Sequence, residues 1–138
     1  MKAKIVTSVL ATFMLLFFSC TGNSQTKKTT SKTKATTATI EIIQFHSEHR
    51  CMTCNKIEKL TRETLKEFKA IPFSLVNVDD AKNEKKAEQF EATGTALFLY
   101  NPKTGKKKDL TDFAFMNAGD EAKFKKELKK EIQLFLKA

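Results

Sequence analysis

The chain has 138 residues, with 25 Lys or Arg against 16 Asp or Glu and a formal charge of +9. That length suits one domain with a single modest core, and with 12 Phe and no Trp the aromatic part of that core falls to Phe. The basic residues are scattered along the chain and not interleaved with aromatics on one face, so nucleic-acid binding is not expected.

At the N-terminus, Lys2 and Lys4 form a short basic region, and an apolar run over residues 5–18 follows that is too short for a comfortable membrane span. Phe17-Phe18-Ser19-Cys20 closes it. The segment resembles a bacterial lipoprotein signal, in which the small residue Ser19 precedes a cysteine that is lipidated and becomes the mature N-terminus. On this reading residues 1–19 are the signal peptide and Cys20 is the lipidation site; an ordinary secretory signal or an uncleaved anchor is the alternative. Of three cysteines, lipidation of Cys20 leaves Cys51 and Cys54 as an isolated pair. The expected location is the bacterial cell envelope, lipid-anchored and facing the periplasm, where disulfides persist unless a reductant opposes them. Residues 21–38 are rich in Thr, Ser and Lys and have no apolar periodicity. Together with Cys20 they read as a flexible tether over 20–38, which leaves 39–138 for the folded domain.

Residues 39–45 are β-branched and aromatic and predict a first strand. It leads into His46-Ser47-Glu48-His49-Arg50-Cys51-Met52-Thr53-Cys54. From Cys54 to Phe68, the spacing of Ile57, Leu60, Thr61, Thr64, Leu65 and Phe68 by threes and fours predicts a helix with one core face. Ile71-Pro72 breaks it, and residues 73–79 alternate as a second strand. Residues 80–93 predict a second helix with a narrow stripe of Ala81, Ala87, Phe90 and Ala92, stopped at Gly94. Ala96-Leu97-Phe98-Leu99-Tyr100 predicts a central strand, and Asn101-Pro102-Lys103-Thr104-Gly105 a hairpin with Gly105 at positive φ. Residues 106–112 predict an outer strand whose lysines discourage edge pairing. Asp120 caps a final helix carrying Phe124, Leu128, Ile132, Phe135 and Leu136.

This order, with a Cys-x-x-Cys pair between the first strand and the first helix, resembles the thioredoxin fold family over residues 39–138. The local matches are Ile43-Gln44-Phe45 before Cys51-Met52-Thr53-Cys54, then Leu75-Val76-Asn77-Val78-Asp79, then Gly94-Thr95-Ala96-Leu97-Phe98-Leu99-Tyr100. The resemblance implies an α/β domain with a central mixed sheet of about four strands flanked by about three helices. More narrowly, His49-Arg50-Cys51-Met52-Thr53-Cys54-Asn55-Lys56-Ile57-Glu58 is similar to bacterial thioredoxin-like proteins described as nitrophenyl compound nitroreductase subunits and linked to arsenic-type gene neighbourhoods. Nothing in the chain looks like a flavin or nicotinamide site, so nitroreduction is not expected.

At a helix N-terminus, unpaired backbone N–H groups and the helix dipole favour an anion, so Cys51 is the expected nucleophile and Cys54, one turn inward, the resolving thiol. Arg50, His49 and Lys56 add positive charge nearby. The expected function is a membrane-tethered thiol–disulfide oxidoreductase acting on a protein disulfide or dithiol through Cys51 and Cys54, with the redox-active disulfide in place of a cofactor. Thr95 falls where thioredoxins have a cis-proline, and with Ala96 is expected to border the substrate groove. Gln44 stands where they have a buried acid and Leu75 where they have a lysine; the loop before Cys51 is one residue longer, and their hallmark Trp is absent. Proton transfer would then fall to water, His46, His49 or Glu48. One alternative uses His46, His49, Cys51 and Cys54 as soft ligands for zinc, copper(I) or a trivalent metalloid. A second is a redox-inactive interaction module.

Overall fold

The computed structural model describes residues 40–138. The signal peptide, the Cys20 lipidation site and the tether expected over 1–38 lie outside the described residues. Four strands and four helices follow in the order β1 (Glu41–His46), α1 (Met52–Leu65), β2 (Phe73–Asn77), α2 (Glu84–Phe90) after a 3-10 turn at Ala81–Asn83, β3 (Ala96–Tyr100), β4 (Lys107–Asp109), α3 (Thr111–Asn117) and α4 (Glu121–Lys137). The strands form one sheet in the order β2-β1-β3-β4, with β1 parallel to β2 and antiparallel to β3, and β3 antiparallel to β4. This is a mixed α/β sheet of thioredoxin-like topology, as the resemblance implied.

The central strand β1 reads as a nearly continuous apolar run because both of its faces are covered. Ile40 and Ile42 pack with Ile57 and Leu60 of α1 and with Phe124, Leu128 and Ile132 of α4. Ile43 and Phe45 turn to the opposite face, against Val76, Ala87, Phe90 and Phe98. There Phe90 lies 5.3 Å from Phe45, 5.1 Å from Phe98 and 5.1 Å from Tyr100 between ring centroids, so this face of the core is an aromatic cluster. Outside the core, Lys59 faces Glu121, Glu63 faces Lys125 and Glu67 faces Lys129. This ladder shows α1 and α4 running parallel, although exposed pairs of this kind contribute little stability individually.

Four details depart from the sequence expectation. α1 starts at Met52, two residues before Cys54, because the Cys51 side chain caps it. α2 stops at Glu91 and not at Gly94: Glu91 takes a left-handed conformation (φ 55), and its N–H reaches the carbonyls of Ala87 and Glu88. The outer strand keeps only three of the seven expected residues, since Leu110, Ala114, Asn117 and Ala118 are buried at helical spacing and build α3, a fourth helix. Leu136 is 45% exposed and sits outside the core. The hairpin glycine is as expected, with Gly105 at φ 72.

Phe124 has no exposed surface, so Phe124→Ala is expected to cost about 3–5 kcal/mol. It should read as a lower urea midpoint with unchanged slope, whereas Leu136→Ala should move stability by no more than about 0.5 kcal/mol.

Candidate active site

The site is built where β1 ends and α1 begins. Cys51 has extended backbone (φ −73, ψ 165), and its Sγ accepts a hydrogen bond from the Cys54 N–H at 3.3 Å, which is the geometry of an N-cap with sulfur in place of oxygen. Cys51 is exposed and Cys54 is buried, with only 6% of its surface accessible. The two sulfurs are unbonded, so the arrangement is that of the dithiol. Hydrogen bonds hold the Cys51 thiol below its ordinary pKa: the Cys54 side chain contributes most, then the Cys54 backbone N–H. Partial desolvation opposes them, and the backbone N–H groups of Thr53 and Cys51 add smaller favourable effects.

Several contacts fix this geometry from neighbouring elements. Gln44, fully buried on β1, donates from Nε2 to the Cys54 carbonyl at 3.0 Å. Its Oε1 has no hydrogen-bond partner among the described residues. An amide at this place anchors the helix backbone but does not exchange a proton as a carboxyl would. The loop ahead of Cys51 is held from the end of β2, where the Glu48 N–H donates to Asp79 Oδ2 at 2.7 Å and the Val78 N–H donates to the His46 carbonyl at 2.9 Å. Thr95, in the bend before β3, donates its hydroxyl to Cys54 Sγ at 3.0 Å.

The residues singled out from sequence therefore divide. Cys51, Cys54 and Thr95 come together. Arg50 is adjacent but committed elsewhere, its Nη1 donating to Glu58 Oε2 at 2.6 Å, while Arg62 Nε donates to Glu58 Oε1 at 2.7 Å. Arg50 is absent from the causes that lower Cys51, and so is His49, an exposed loop residue. Ala96 is half-buried against the aromatic core cluster and pairs with Phe45. Leu75 is paired with Gln44 in the sheet and is 36% exposed. His46 Nδ1 sits 2.9 Å from the Ser47 carbonyl. No His, Cys, Asp and Glu side chains gather in a group of three or more that could hold a metal ion among the described residues.

Sequence reasoning missed Glu58, Asp79 and α3. Beside Cys51, a hollow of about 400 Å³ is lined by Met52, Thr53 and Lys56 of α1 and by Phe115, Ala118 and Gly119 from α3 and the turn after it. The spacing of Leu110, Ala114 and Ala118 was the available signal for that helix. No signal in the chain links Glu48 to Asp79, 31 residues later.

No protein-family model matches the sequence, and no curated protein matches it. Solved structures with a similar chain trace include oxidised thioredoxin O2 from Arabidopsis thaliana, at 15% identity and a TM-score of 0.43, covering 51% of this chain and 60% of that one. The match thus spans less than two thirds of that thioredoxin. Others are thioredoxin f2 from Chlamydomonas reinhardtii, at 21% identity, a TM-score of 0.44 and coverage of 61% and 82%, and a malarial protein at 23% identity, a TM-score of 0.41 and coverage of 57% and 94%.

Two predictions follow from the electrostatics. Cys51 should be alkylated by iodoacetamide before Cys54, with a half-maximal rate at a pH below that of an ordinary thiol, because its sulfur is exposed and its thiolate is hydrogen-bonded. For Glu58, burial alone would raise the pKa, but the hydrogen bonds from Arg62 and Arg50 outweigh it and hold the carboxyl below its usual range. A carboxylate depressed by folding stabilises the fold above its unfolded pKa, and that contribution is lost as pH falls through the lowered value. Glu58→Gln should accordingly flatten the acid limb of urea midpoint against pH and leave the alkaline limb unchanged.

Proposed function

We propose that this chain is a membrane-tethered thiol–disulfide oxidoreductase of the bacterial cell envelope, anchored by lipid on Cys20 and facing the periplasm, and that it exchanges electrons with a protein disulfide or dithiol. The observation that carries the reading is the sulfur cap on α1. An exposed Cys51 whose thiolate is favoured stands one turn before a buried Cys54 that can close on it. Thiolate attack by Cys51 on a partner disulfide gives a mixed disulfide; attack by Cys54 on Cys51 then releases the partner as a dithiol and leaves the Cys51–Cys54 disulfide. The reverse sequence oxidises a partner. The pair supplies both electrons, so this reading calls on no cofactor beyond the redox-active disulfide. The similarity around His49-Arg50-Cys51-Met52-Thr53-Cys54 to nitroreductase-subunit proteins enters this reading through the thiol pair alone.

Cys54→Ser should accumulate mixed disulfides with envelope proteins, visible as bands that collapse on reduction, and Cys51→Ser should show none and reduce or oxidise a test disulfide only at background rate. Equal activity of Cys51→Ser and wild type, with no trapped species, would sink the proposal. Cys20→Ser should move the protein from the membrane fraction to the soluble fraction; retention in the membrane would sink the lipid anchor.

A further inference from the structure

Cys54 is nearly sealed from solvent, with 6% of its surface accessible, so its sulfur cannot rely on water for hydrogen bonds as the exposed Cys51 can. Cys54 Sγ accepts a hydrogen bond from the Thr95 hydroxyl at 3.0 Å. Thr95 lies 41 positions away in sequence and reaches the sulfur from the bend before β3, so the contact is a product of the fold and not of local chain geometry. Gln44 pins the Cys54 backbone from the other side, which keeps the sulfur beneath that hydroxyl.

A donor aimed at a sulfur does not act equally in the two redox states. In the dithiol the Cys54 S–H passes the Thr95 donation on to the Cys51 thiolate, a charge-assisted hydrogen bond roughly twice as strong as a neutral one, whereas the disulfide has neither the S–H nor the thiolate. We infer that the Thr95 hydroxyl stabilises Cys54 in the dithiol state relative to the disulfide, biasing the pair toward accepting electrons from a dithiol partner. The inference rests on the oxidoreductase reading above and gives it a direction.

A partner thiolate attacks Cys51 Sγ, the Cys51–Cys54 bond breaks, and Cys54 leaves with the electron pair under the Thr95 hydroxyl. A second partner thiolate attacks the partner sulfur of the mixed disulfide and Cys51 leaves onto the Cys54 N–H at the start of α1. The partner is oxidised by two electrons to a disulfide, the pair is reduced to the dithiol, and the two protons given up by the partner thiols match those taken up by Cys51 and Cys54. The Cys54 side chain in turn hydrogen-bonds Cys51, so a donor on Cys54 supports both sulfurs through one chain of contacts.

The test is the equilibrium of the full chain with reduced and oxidised glutathione, read by quantifying free thiols after acid quenching. Thr95→Val removes the hydroxyl and keeps the branching. It should shift the equilibrium toward the disulfide by about tenfold, equivalent to about 30 mV of lower reduction potential, while Thr95→Ser stays within about twofold of wild type. Thr95→Ala, measured alongside, gives the same reading should the valine variant misfold. A hydroxyl that merely fills space would leave the equilibrium of Val and Ala variants unchanged, or leave Ser no closer to wild type than Val; either result overturns the inference while the oxidoreductase reading stands. A wild type that forms no Cys51–Cys54 disulfide at any glutathione ratio would overturn both.

Discussion

The cap that Cys51 places on α1 is the contact on which the site depends. A helix begins with backbone N–H groups that have no partner inside the helix, and here one of them is met by sulfur where Ser, Asp or Asn would ordinarily serve. The same bond does two things. It sets the first residue of α1 at Met52, and it places an exposed thiol where the helix favours negative charge. The rest of the neighbourhood keeps that helix end still: Gln44 from β1 grips the Cys54 carbonyl, Asp79 and Val78 after β2 hold the incoming loop, and Thr95 before β3 closes over the second sulfur. Contacts from the ends of three neighbouring strands thus converge on Cys54 and on the loop that leads to Cys51, and the strand order β2-β1-β3 is what brings them within reach.

Apolar burial, and not charge, holds this frame. The sheet is covered on both faces, by α1 and α4 on one side and by Ala87 and Phe90 of α2 on the other. Each buried aromatic or aliphatic side chain contributes on the order of 1.5–3 kcal/mol relative to exposure, against roughly 0–1 kcal/mol for an exposed ion pair. The ion pairs between α1 and α4 are thus better understood as setting the relative register of the two helices. Arg50 illustrates the difference between charge that is near a site and charge that acts on it. It adjoins Cys51 in sequence, but the carboxylate of Glu58 takes its guanidinium.

Local pattern and long-range contact explain what was legible. The strands around Phe45 and Phe98, the amphipathic face of α1, the Asp120 cap and the positive-φ Gly105 each announce themselves within a few residues, through periodicity or turn chemistry. The thiol pair was legible for the same reason, as a spacing at a strand-to-helix junction. α3 was not, because its buried face is made largely of Ala114, Asn117 and Ala118, which carry little hydrophobic signal. The end of α2 was misplaced because glutamate is a poor candidate for the left-handed conformation that Glu91 adopts. Thr95 was marked as important by its alignment to a proline, but its bond to Cys54 depends on tertiary approach, which no periodicity encodes. For His46, close spacing to the thiols says nothing of where the ring lies, which here is against its own neighbour's carbonyl.

Met52 follows Cys51 directly and is 88% exposed, at the lip of the hollow that Phe115 also lines. A thioether in that position is open to the same peroxide-class oxidants that reach Cys51, and its sulfoxide is polar and chiral where the parent side chain is apolar and flexible. Damage by such an oxidant would leave the surface beside the nucleophile wetter than before, even after the thiols had been restored. Thiol reductants do not undo a sulfoxide, which needs its own dedicated reductase, so oxidation of Met52 would outlast oxidation of the thiols beside it.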